Sequence, residues 1–145
     1  MNEKKTIRHL LTTMKSIAVV GFSSHQDRAG FYVPAYLQDH GYCIIPVNPY
    51  LDEALGEKAY PDLLSIPKPV DLVLIFRRSE AIPPVEAQAI QIRARAVWMQ
   101  LGIFNQDAAQ LTRQAGLEVV MDACMMVEHR RTLLDSTSSI DHVAT

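Results

Sequence analysis

The chain has 145 residues, 48% hydrophobic and 21% charged, with a formal net charge of −2; that suits one globular domain that needs no disulfide or metal to hold its core. The slight acidity excludes electrostatic capture by nucleic acid or an anionic membrane surface, and no apolar run reaches the ~18–20 residues of a membrane span. A charged N-terminus without a secretion-signal core points to the cytoplasm, and the two cysteines and five histidines fall at no metal-ligand spacing.

Ile7, Leu10, Leu11 and Met14 recur at helical spacing and predict a helix near the N-terminus. The uniform apolar run Ile17-Ala18-Val19-Val20 predicts a strand buried on both faces. Phe31, Val33, Tyr36 and Leu37 give a helix over 30–40, with Pro34 in its first turn and Gly41 closing it. A second strand covers 42–47, with Cys43 expected in the core. Residues 50–69 are broken by Pro61, Pro67 and Pro69, with a short helix expected at 62–65.

Residues 71–76 form the clearest strand. A helix beginning at Pro83-Pro84 follows, turning Val85, Ala87, Ala89 and Ile90 inward. The fourth strand, 96–101, stops at Gly102, and the helix 105–115 has Asn105 as N-cap and Gly116 just past its end. The fifth strand is 117–121, and the polar segment 136–145 is expected to be a disordered tail beyond one domain over 1–135. This alternation predicts an α/β fold: a three-layer, Rossmann-like, doubly wound parallel sheet of about five strands in the order 3-2-1-4-5.

In such a sheet, ligands bind outside the carboxyl ends of the strands, where the strand order reverses. The first tip there, Gly21-Phe22-Ser23-Ser24-His25-Gln26-Asp27-Arg28, lacks the glycine spacing of a dinucleotide loop. Its amides and hydroxyls, with Arg28, suit a phosphate; the alternative is a plain turn in which Ser24 or Asp27 caps the next helix. At the second tip, Asn48-Pro49 stands where an NAD site needs a carboxylate for the ribose diol. At the third, Arg77-Arg78 either meets an anion or forms a solvated pair with acids such as Glu80. Gln100 is the fourth-strand residue best placed to reach a ligand, with Trp98 and Met99 as packing candidates. Cys124, beside Met125 and Met126, is either a nucleophile or small apolar packing.

Taken in order, VVGFSSHQDRAGFYVPAYL, GYCIIPVNP, LGEKAYPDLLSIP, VDLVLIFRRSE, AVWMQLGI and AGLEVVMDAC followed by VEH resemble the small stand-alone CoA-binding proteins. Their domain is similar to the nucleotide-binding domain of the succinyl-CoA synthetase alpha subunit. The resemblance covers residues 7–131 and implies coenzyme A or an acyl-CoA as ligand. It implies that Gly21, Ser23, Ser24, His25, Gln26 and Arg28 lie against the phosphates. Val47, Asn48 and Pro49 would flank the adenosine, Phe76, Arg77 and Arg78 border the nucleotide, and Met99, Gln100 and Leu101 follow the pantetheine. Relatives commonly carry proline at the positions of Gln26 and Ala29, serine and tyrosine at Gly30 and Phe31, and arginine at Ala123.

The resemblance brings no catalytic histidine domain, so the first expectation is a non-catalytic CoA-binding module: a carrier, a sensor or a CoA-presenting subunit. The alternatives are an acyl-transfer or thiol-exchange enzyme using Cys124, and an NAD(P)-binding protein. A homodimer or a protein partner is compatible with such a domain, although no stripe of residues specifies the surface.

Overall fold

In the computed structural model, which describes residues 3–144 and side chains through Asp135, five parallel strands form one sheet. They are β1 (Ser16–Val20), β2 (Cys43–Val47), β3 (Leu72–Ile75), β4 (Ala96–Met99) and β5 (Glu118–Val120). The helices are α1 (Glu3–Thr13), α2 (Ala29–Asp39), α3 (Ile82–Gln91), α4 (Gln106–Gln114) and α5 (Met125–Ala144). Because successive side chains of a strand point to opposite faces, the uniform apolar runs divide into two cores. Ile17, Val19, Leu72, Leu74 and Trp98 pack against Leu10 and Leu11 of α1, Val33 and Leu37 of α2, and Met125 of α5. Ala18, Val20, Val73, Ile75, Val97 and Met99 face the other way, onto Leu63, Ile82 and Ala89 and onto Ala108 and Ala109 of α4. The three-layer α/β class and the parallel five-stranded sheet are therefore as expected.

The strand order differs in one place. It is 2-1-3-4-5, not 3-2-1-4-5: β1 pairs with β2 on one side and β3 on the other. The β2–β3 connection explains this. It carries the 3₁₀ turn Leu63–Ser65, whose Leu63 is buried on the face opposite α2. A right-handed crossover on that face carries the chain back past β1. Pro46 agrees with this, since an edge strand needs no second ladder donor. Its carbonyl accepts from the Tyr60 amide at 3.0 Å, and the Asn48 amide donates to the Tyr60 carbonyl at 2.9 Å. A two-residue hairpin, Glu53–Ala54 with Glu57–Lys58, lies in the same connection.

Three local expectations are corrected. Cys43 is exposed rather than core, because it opens the edge strand. Ala87 is exposed, whereas Val85, Ala89 and Ile90 face the core as expected, joined by Ile82 and Glu86. Pro34 lies inside α2, past its first turn. The backbone of α5 stays helical to Ala144, through a segment whose polarity suggested a disordered tail; residues 125–144 contain no glycine or proline to stop it.

Candidate functional site

With this order the reversal falls between β1 and β3, so the tips after β1, β2 and β3 meet at one rim. Gly21 ends β1 with φ +83°, and a Cβ there would stand 2.8 Å from the Phe76 carbonyl oxygen. The first and third tips can approach this closely only at glycine. Phe22 turns inward, 1% exposed, with its ring edge-on to Phe31 at 5.8 Å, and anchors the tip in the core.

Asn48 bridges the tips. Its Nδ2 donates to the Phe22 carbonyl at 2.7 Å and its Oδ1 accepts from the Tyr50 amide at 2.8 Å. Both ends of the side chain are thus occupied within the protein. An aspartate could not make the first bond. The reason for asparagine at this place is structural.

Beyond Phe22 the loop folds on itself. The Ser23 Oγ accepts from the His25 amide at 3.1 Å, and the Arg28 amide donates to the His25 carbonyl at 3.0 Å. The Arg28 carbonyl begins α2 by accepting from Phe31 and Tyr32, and no side chain caps the helix. Neither Ser24 nor Asp27 plays the capping part weighed above. The amides of Ser24, Gln26, Ala29 and Gly30 donate to no other group among the described residues. Ser24, His25, Gln26 and Arg28 are exposed. Unpaired amides around a helix N-terminus, with an arginine beside them, form a cradle suited to an anion.

The two arginines part company. Arg78 points to solvent and lies 3.7 Å from Glu80, an exposed pair of little energetic weight. Arg77 makes no ion pair among the described residues and lines a cavity of about 260 Å³ with Val20, Val47, Leu63, Val85 and Gln88. The Leu63 amide donates to the Gln88 Oε1 at 3.2 Å, so the 3₁₀ turn and α3 hold the cavity walls together. Pockets enclosing a whole drug-sized ligand run to ~300–1,000 Å³; this one suits a single end of a long ligand. Pro49 and the 91%-exposed Tyr50 stand at the rim beyond Val47.

Of Met99, Gln100 and Leu101, only Leu101 reaches the surface, 65% exposed near Phe104 at 55%. Met99 is fully buried in the core. Gln100 is 4% exposed, and its Oε1 accepts from the Met125 amide at 3.3 Å at the start of α5. The Trp98 Nε1 donates to the Ala123 carbonyl at 2.8 Å, fixing the same turn. Cys124 is half-buried beside this turn, packed against the core with Met126.

His25 lies in the exposed first loop. The His129 Nδ1 is engaged with the Tyr36 hydroxyl at 2.8 Å. Burial, and then the neighbouring His40, pull the His129 pKa below the usual imidazole value. Sequence reasoning missed the Asn48 bridge, the Leu63–Gln88 wall and the contact between Ser23 and Gly30 described below; Pro34, inside an otherwise regular helix, was the visible signal for the last.

Among the described residues no helix is long and apolar enough to cross a membrane, and no cluster of ligating side chains fits a metal. A family model described as a CoA binding domain matches residues 15–130. The chain is 44% identical over 129 residues to YneT of Bacillus subtilis, an uncharacterized protein, a match covering 89% of this chain and 96% of that one. It is 38% identical over 79 residues to ADP-forming acetate–CoA ligase II of Archaeoglobus fulgidus, covering 53% of this chain and 12% of that longer protein. The solved structure of a hypothetical protein from Pyrococcus horikoshii superposes with a TM-score of 0.87 at 39% identity, covering 91% of this chain and 93% of that one.

Proposed function

The chain belongs to the CoA-binding domain family, and from that premise we propose that it binds coenzyme A, or an acyl-CoA, as a module without catalysis of its own. The observation that carries the reading is the pairing of two features at one rim. Among the described residues, the amides of Ser24, Gln26, Ala29 and Gly30 have no partner near the N-terminus of α2, and Arg77, without an ion pair, lines the cavity. CoA is a long ligand with phosphates in its nucleotide half and an uncharged pantetheine arm. The cradle and Arg77 suit its phosphates. The cavity behind Arg77 takes one end of its nucleotide, walled by Val20, Val47 and Val85. The exposed Leu101 and Phe104 offer apolar surface to the arm. These residues bind and orient; the half-buried Cys124, packed against core side chains, supports no nucleophilic step.

The test is denaturing release of copurified ligand with mass spectrometry, followed by calorimetric titration of CoA, acetyl-CoA and NAD. CoA or its thioester is expected to be released, and to bind in preference to NAD. Tight NAD binding with no CoA binding sinks the reading.

A further inference from the structure

Pro34 sits in the interior of α2, where it deprives the Gly30 carbonyl of its helical donor four residues on. A buried carbonyl left in this way seeks another partner. Here it finds one outside the helix: the Ser23 amide donates to the Gly30 carbonyl at 3.1 Å. The same contact is sterically close. A Cβ on Gly30 would lie 3.0 Å from the Gly21 carbonyl oxygen and 3.3 Å from the Ser23 amide nitrogen and Cβ. Ser23 in turn shapes the next turn, its Oγ accepting from the His25 amide. A chain of contacts therefore runs from Pro34 through Gly30 and Ser23 to the loop whose Ser24 and Gln26 amides have no partner among the described residues.

We infer that Pro34 is a positioning residue for the CoA site: by freeing the Gly30 carbonyl for Ser23, it holds the phosphate loop in its open-handed form. This rests on the CoA reading given above.

Pro34→Ala restores a helical donor to the Gly30 carbonyl and is expected to fold, since alanine favours the helix interior. Three readouts together separate positioning from stability. Amide exchange by NMR should show the Ser23 amide protected in the unsubstituted chain and exchanging faster in Pro34→Ala. Thermal melting should show a midpoint no lower than that of the parent. Calorimetry should show CoA affinity reduced roughly three- to tenfold, the weight of about one net hydrogen bond. An unprotected Ser23 amide in the unsubstituted chain overturns the inference, as does equal protection in both proteins. Unchanged CoA affinity with a freed Ser23 amide also overturns it. Failure of the unsubstituted chain to bind CoA at all is a failure of the functional reading, and the Ser23 exchange rates then still decide whether Pro34 pins the loop.

Discussion

Arg77 and Arg78 are adjacent and chemically identical, and they are not equivalent in the fold. Arg77 faces the cavity, and Arg78 faces water and Glu80. Arg77→Ala should weaken CoA binding by about tenfold at low salt, the scale of one charge-assisted contact, with the difference shrinking as salt screens it. Arg78→Ala should change affinity less than about twofold. Titration of both variants at low and high salt checks this; equal effects would remove Arg77 from the site. Glycine offers a second paired comparison. Gly21 and Gly41 both have positive φ, +83° and +95°, but only Gly21 has the Phe76 carbonyl where a Cβ would go. Gly41→Ala should cost about 1–2 kcal/mol, the left-handed penalty alone. Gly21→Ala should cost about 2–4 kcal/mol, because overpacking adds to it. Urea denaturation reads both, and equal costs would mean that the Gly21–Phe76 approach is not tight.

At the scale of elements, α2 and α5 meet through an aromatic seam. His129 and Arg130 come from α5, Tyr36 from α2, His40 from the cap that ends α2, and Tyr42 from just before β2. Tyr36 bonds His129, His40 stacks on Tyr36 at 4.0 Å, and Arg130 lies 5.0 Å from the Tyr36 ring centre. Burial first, then His40, lower the pKa of His129 in the fold. The unfolded chain therefore takes a proton at a pH where the folded chain still refuses it. The seam's stability is whole above about pH 6.5, the unfolded value, and is lost as pH falls through the lowered folded value. His129→Gln should flatten the slope of unfolding free energy between neutral and mildly acidic pH, and parallel slopes for parent and variant would refute this assignment. This seam shows where sequence reading ends. The strands were legible because a parallel strand buried on both faces is apolar over most of its length, and α4 because Asn105 and Gly116 mark its ends. The β2 edge was legible in principle: Pro46 has no amide to give a full outer ladder, and only the single Tyr60 bridge forms there. The Tyr36–His129 bond joins residues 93 positions apart, and the Asn48–Phe22 bond depends on which strands are neighbours. No local pattern specifies either.

For the whole molecule, the two cores share the same strands: Val19 and Val20, or Leu74 and Ile75, serve opposite faces from adjacent positions. Neither layer of helices can be lost without exposing the sheet between them, so the chain should unfold in one transition. The rim belongs to both cores as well, since Phe22 and Phe76 pack on one face while Val20 and Val47 lie in the other. A ligand held there is therefore coupled to the entire fold rather than to one loop. CoA at a hundred times its dissociation constant should add about 2.7 kcal/mol, which for a domain of this size corresponds to a rise of roughly 8 °C in the melting midpoint. Asn48→Asp tests the coupling from within: it removes the donor to Phe22 and should cost about 1–2 kcal/mol of stability, and it should also reduce the rise produced by CoA at the same concentration. Differential scanning calorimetry of both proteins, with CoA and separately with NAD, reads all of these quantities. Two separate transitions, or an undiminished CoA-induced rise in Asn48→Asp, would show that the rim and the cores are energetically independent.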